Sequence, residues 1–250
     1  VSAGHPARLT PAALTTPECF SYPLTRAYPR AITTPRTGEL QVWRFRCEWL
    51  PVPVQEGDTW LSRSERERAR MHPNAALRKR FISARVVARW IVAHLFHCAP
   101  DEVDLQDDGQ EKLRAQHPAD GPAIVIDIAY GGIWIVIGIA TAALGVSVAV
   151  PSPTPSPEAT PHIARRRARY DSLCSALRQP PADVDSGVHA QALATDAHAC
   201  TLDLAGQGAW KVLDLPMAGK IRAAVTMALP LTRVHMIGWP KVLVFDKPDA

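Results

Sequence analysis

The chain is 250 residues long, 47% hydrophobic and 21% charged, with a formal net charge of +4. That length holds one large domain or two small ones with a real core, and the composition is that of an ordinary globular protein. The positive charge is small and its arginines are spread along the chain with no basic stripe interleaved with aromatics, so nothing in the sequence points to nucleic acid.

Residues 1–40 are rich in Pro, Thr and Ala without apolar periodicity, and they read as an extended N-terminal arm. No basic region followed by an apolar run opens the sequence, so no signal peptide is expected. A strand is predicted over 41–49, where Val42, Arg44, Arg46 and Glu48 alternate unevenly with Trp43, Phe45, Cys47 and Trp49. Ser62 and Glu65 have the spacing of a capping box before a charged helix running to about Met71. Asn74 is placed to cap a longer helix reaching about Cys98. On that helix Leu77, Phe81, Ala84, Ala88, Ile91 and Leu95 form one apolar stripe, with Arg78, Arg85 and Arg89 off it. Pro100 ends the segment, and Asp107-Asp108-Gly109 makes a polar turn.

Residues 123–150 are nearly all apolar and long enough to span a bilayer. They read as buried strands instead. Ile and Val dominate, Gly131-Gly132 offers a hairpin turn in the middle, and Asp127 would be costly in lipid. Strands are predicted at 124–128, 133–140 and 144–150, joined by tight turns as antiparallel neighbours. Residues 151–161 hold five prolines and read as a linker. A basic amphipathic helix follows over 162–179, carrying Arg165-Arg166-Arg167-Ala168-Arg169. After a turn-rich stretch, strands are predicted at 199–204, 209–215, 221–228 and 233–239. Each half thus offers helix plus antiparallel strands, which predicts an α+β fold with two similar lobes.

Several strings along this order resemble those of phosphopantetheinyl transferases of the Sfp type. Leu61 to Ala69 (LSRSERERA) and Arg78 to Trp90 (RKRFISARVVARW) are similar to that family's early helices. Asp107 to Leu113 (DDGQEKL) stands where the family has a Gly-Lys-Pro-aromatic-Leu turn. Ile126 to Gly132 (IDIAYGG) stands where it has a Phe-Asn-Leu-Ser-His-Ser type string, and Leu144 to Val150 (LGVSVAV) where it has a Gly-hydrophobic-Asp-hydrophobic-Glu strand. Ala218 to Pro230 resembles the closing strands of the second lobe. The resemblance covers residues 41–150 well and 198–240 loosely. It implies two pseudo-symmetric lobes, each an antiparallel sheet plus helix, with a transferase-like lobe over 41–150 and a shortened C-terminal lobe over 162–250.

The family moves the phosphopantetheine arm of coenzyme A to a serine of a carrier protein, with magnesium held by carboxylates and phosphates held by basic side chains. On that resemblance the site here is degenerate. The metal-binding Asp and second carboxylate fall on Ser147 and Ala149, the phosphate-facing His on Tyr130, the turn Lys on Gln110, and the Asn on Asp127. No Trp-x-x-Lys-Glu string follows Val150. Arg80 and Arg85 fall where the family places residues near the coenzyme A nucleotide; the bland alternative is a solvated helix face.

The expectation is therefore a transferase-like protein without bound magnesium or coenzyme A that binds an acyl or peptidyl carrier protein, or another biosynthetic enzyme, in the cytoplasm. One alternative is an active, divergent transferase using coenzyme A and magnesium, with Asp127, Asp183, Asp185 or Asp196 as substitute ligands. The other is an assembly scaffold, a homodimer through the second lobe. Neither membrane nor nucleic acid is expected as a partner. The five cysteines (Cys19, Cys47, Cys98, Cys174 and Cys200) are odd in number, widely spaced and free of any CxxC pair, so they read as reduced thiols. His94 and Cys98 share a helix face as metal ligands would, but no second pair follows nearby, and a helix end with partly buried polar residues is the plainer reading. The arginine run at 165–169 reads either as an acidic-partner contact or as a solvated face.

Overall fold

The computed structural model describes residues 16–50, 52, 59–107, 112–117, 121–151, 161–179, 191–204 and 206–239. Among the described residues three helices, α1 (Arg63–Met71), α2 (Ala75–Phe96) and α3 (Pro161–Leu177), accompany eleven strands. The strands are β1 (Glu18–Tyr22), β2 (Glu39–Arg46), β3 (Leu105–Asp107), β4 (Leu113–Ala115), β5 (Ile124–Gly131), β6 (Trp134–Ala140), β7 (Leu144–Ala149), β8 (Ala199–Leu204), β9 (Gly208–Leu215), β10 (Arg222–Ala228) and β11 (Arg233–Ile237).

The helix starts follow from local chemistry. Ser62 accepts from the Glu65 N–H while the Glu65 carboxylate accepts from the Ser62 N–H at 2.8 Å, a complete capping box at the start of α1. Asn74 Oδ1 accepts from the Leu77 N–H at 2.9 Å and starts α2. His97, in the left-handed region at φ 54°, ends α2.

The expected narrow stripe on α2 is corrected. Leu77 is exposed, whereas from Phe81 to Phe96 nearly the whole circumference is buried, Arg85 and Arg89 included. Burial of those two arginines is sustained by carboxylates from elsewhere. Arg89 Nε donates to Glu65 at 2.8 Å and its Nη1 to the Val103 carbonyl at 2.6 Å, while Arg85 Nη2 donates to Asp107 at 2.8 Å. A buried cation needs both a counter-charge and hydrogen bonds, and these residues supply them.

The strands form a seven-stranded sheet, ordered β1-β11-β2-β6-β5-β4-β3, and a four-stranded sheet, ordered β7-β10-β9-β8. This is an α+β architecture of two sheets flanked by helices, coarsely two lobes. On β2, Trp43 and Phe45 enter one core beside α2, and Leu40 and Val42 enter the other. The stretch read as an arm contributes β1, which pairs in parallel with β11, and β11 in turn pairs in parallel with β2. The last described strand thus lies between β1 and β2 in the first sheet.

β7 corrects a second expectation. It does not pair with β6 but leads the second sheet, antiparallel to β10. It crosses the face of the β5–β6 hairpin, and small residues make the crossing close. A Cβ on Gly138 would lie 2.6 Å from Val146 Cγ2, and one on Gly131 would run into Val148. From the other side, a Cβ on Gly145 would strike the α3 backbone at Ser172 and Ala176. β7 is held between hairpin and helix because each layer offers glycine where it passes.

Among the described residues all five cysteines are free, and no helix is long and apolar enough to cross a membrane.

Candidate functional site

The lower edge of β7, turned away from β10, has no strand beside it. Side chains take the place of one. Asp127, on β5, accepts the Val146 N–H at 2.7 Å through Oδ2, and Lys112 Nζ donates to the Leu144 carbonyl. Asp127 Oδ2 also accepts from Ser175 Oγ on α3 at 2.8 Å. One buried carboxylate therefore ties β5, β7 and α3 together, which satisfies backbone groups that burial would otherwise leave orphaned.

Beside this knot lies an open cleft of about 260 Å³. Its polar lining is Asp127 and Tyr130 from β5, Ser147 from β7, and Asp171 and Ser175 from α3. Burial is the foremost cause holding the Asp127 carboxyl above its ordinary range, against the opposing pull of Lys112 and the hydrogen bonds from Val146, Ser175 and Ile128. Burial also pushes the Asp171 carboxyl up, opposed by Arg167 one turn earlier on α3.

The anticipated site residues divide. Asp127, Tyr130 and Ser147 meet in the cleft. Ala149 does not line it; with Ala164, Ala168 and Ala224 it forms a small apolar cluster beneath α3. Arg80 lies with its guanidinium 5.5 Å from the Tyr130 ring, and its Nε and Nη2 are buried without a hydrogen-bond partner. Arg85 is committed to Asp107, which also pairs with Arg68.

The substitute ligands fare differently. Asp196 is exposed and pairs with Arg165 at 3.9 Å, on a separate cavity that His162 and Thr195 also line. Asp183 and Asp185 lie outside the described residues. His94 Nδ1 bonds the Trp90 carbonyl at 2.8 Å, and its ring stacks on Tyr28. No group of three or more His, Cys, Asp or Glu suited to a metal occurs among the described residues.

The arginine run on α3 is largely spent inside the fold. Asp214 takes Arg169 through both oxygens, at 2.7 and 2.8 Å, and Arg165 at 2.6 Å. Arg167 pairs with Asp171, which leaves Arg166 as the exposed arginine of the run without an ion pair among the described residues.

Asp171 and Ser175 escaped the sequence reading. Their spacing of four places them on one helix face, but only the partner strand shows which face enters the cleft. Chemically the cleft offers hydroxyls, the carboxyls of Asp127 and Asp171, and a cation near Tyr130. Among its described lining residues there is no His or Cys to serve as base or nucleophile. No family model matches the chain, and no curated protein is significantly similar to it.

Proposed function

We propose that this chain is a phosphopantetheinyl-transferase-like protein that has given up arm transfer and binds a protein partner, an acyl or peptidyl carrier protein or another enzyme of a biosynthetic pathway. The ordered strings at 61–69, 78–90, 126–132 and 144–150 motivate the resemblance, and the two-sheet α+β arrangement is compatible with two related lobes. The observation that carries the reading is the fate of the strand positions where the resemblance calls for carboxylates. Ser147 brings only a hydroxyl to the cleft, Ala149 is sealed beneath α3, and Asp127 Oδ2 is occupied by Val146 and Ser175. These residues do not fit magnesium as the family holds it, since hard cations need several charged oxygen ligands.

A second reading, an active divergent transferase, is favoured by one feature. Asp171 brings a carboxyl into the cleft opposite Ser147. Calorimetric titration separates the two readings. Coenzyme A is titrated into the full chain with and without magnesium, and apo carrier proteins are titrated in parallel. The proposal expects carrier binding that is indifferent to magnesium. Magnesium-dependent coenzyme A binding would favour the second reading instead.

A further inference from the structure

Five side chains stack in file across one end of the first sheet. The Arg46 guanidinium lies 5.5 Å from the Trp49 ring and 4.4 Å from Trp134, and the Arg44 guanidinium lies 4.7 Å from Trp134 and 4.6 Å from Trp239. The arrangement follows from the strands. Arg44 and Arg46 are two apart on β2 and share a face, and Trp134 sits opposite Arg46 in the β2–β6 register. Each cation is held between indole faces, where the ring quadrupole attracts it.

Among the described residues no carboxylate forms an ion pair with Arg44 or Arg46. Arg44 donates to the Gly238 and Pro216 carbonyls. Arg46 makes no side-chain hydrogen bond or ion pair among the described residues, and its Nε is buried without an acceptor. Burial, with the repulsion of Arg46 added, lowers the Arg44 pKa to about 10, which marks the pair as unneutralised.

The outer rung is open. Trp49 is 70% exposed, and at the end of the β5–β6 hairpin Ile133 is 51% and Val150 49% exposed. These belong to one surface. Trp134 follows Ile133 directly, and a Cβ on Gly132 would lie 3.2 Å from Ile221 and 3.9 Å from Val150. Arg222 pairs in register with Ala149 next to Val150, and Lys220 is exposed nearby in sequence. Exposed apolar side chains with Arg46, Arg222 and Lys220 near them, against the exposed carboxylate of Glu48 next to Trp49 in the chain, mark an interaction surface with an excess of cations.

We propose that this ladder end is a docking surface for an acidic amphipathic segment of a partner protein. Its apolar side chains cover Trp49, Ile133 and Val150, and its carboxylates meet Arg46 and Arg222. The inference rests on the protein-binding reading above and gives it a location, two residues farther along β5 and β7 from the cleft. Charge decides the occupant. The surface stays net positive even with Glu48 next to Trp49, and a two-fold copy of the chain would set that excess against itself, which is repulsive. An anionic bilayer is gripped by clusters of about four to eight Lys or Arg, more than this surface carries.

The test uses the full chain and a fluorescently labelled synthetic helix of Glu and Leu, read by anisotropy. A Lys and Leu helix and vesicles of neutral lipid with one-third anionic lipid are the comparison probes. The expected result is salt-sensitive binding of the acidic helix, weakened roughly tenfold by Trp49→Ala and likewise by Ile133→Glu. Both positions are exposed, so the urea midpoint should stay put. The proposal is overturned by no binding of the acidic helix, by equal binding of the basic helix, by preferential binding of vesicles, or by undiminished binding in both variants. Arm transfer to a carrier would sink the earlier reading without touching this result, so the two failures are distinguishable.

Discussion

Asp127→Ala probes the knot at the centre of the fold. Asp127 is 4% exposed and accepts from the Val146 N–H at 2.7 Å and from Ser175 Oγ at 2.8 Å. Alanine leaves the Val146 N–H buried without an acceptor, which costs about 1–3 kcal/mol. It also removes the carboxyl that faces Lys112, a residue 4% exposed that donates to the Leu144 carbonyl. Together with the lost Ser175 hydrogen bond, the cost should reach about 2–4 kcal/mol. Ser175→Ala removes one hydrogen bond at a half-buried group and should cost about 1 kcal/mol. Urea unfolding of the three proteins measures this as shifts in midpoint at unchanged slope. If Asp127→Ala costs less than about 1 kcal/mol, Asp127 is not the clamp on β7, and its placement in the cleft would have to be explained by ligand binding.

The same carboxyl sets a pH signature. Its folded pKa lies above the ordinary carboxylate value, chiefly through burial, so the folded state holds the proton more tightly than the unfolded chain does. Stability should then fall as pH rises from about 4 through the raised value. Asp127→Asn removes this titration, so the gap between wild type and variant should narrow with rising pH, as read from urea midpoints at a series of pH values. Gly145→Ala drives a methyl into the α3 backbone at Ser172 and Ala176 and should cost about 3 kcal/mol in the same assay. Asp214→Ala leaves Arg169, with a side chain 1% exposed, without its carboxylate and should cost about 3 kcal/mol, whereas Asp196→Ala, at an exposed ion pair, should cost well under 1 kcal/mol.

What the sequence disclosed was local. The Ser62–Glu65 box and the Asn74 cap were legible because each involves residues three apart whose bonds form within one turn. The apolar alternation located eight of the eleven described strands to within a few residues, and missed β1, inside the stretch read as an arm, and the three-residue β3 and β4. Pairing was less legible, because β7 follows β6 by a short turn yet joins β10, and only the glycines at 131, 138 and 145 hint that it passes between layers. Burial of charge was also hidden. Arg85 and Arg89 look solvated until Asp107 and Glu65, 22 and 24 residues away, arrive beside them. The cleft was half visible. Asp127, Tyr130 and Ser147 were found on their strands, while Asp171 and Ser175 needed the placement of α3. The tryptophan–arginine ladder contradicts the expectation that no cations interleave with aromatics, since its rungs come from β2, β6 and the segment after β11.

The central claim is that the cleft of Asp127, Tyr130, Ser147 and Asp171 no longer supports arm transfer. Intact-mass analysis tests it most directly, after incubation of the full chain with coenzyme A, magnesium and a panel of apo acyl and peptidyl carrier proteins. The account predicts carrier masses that do not change. A gain equal to the phosphopantetheine arm on any carrier, abolished by Asp171→Asn, would contradict it and establish an active transferase.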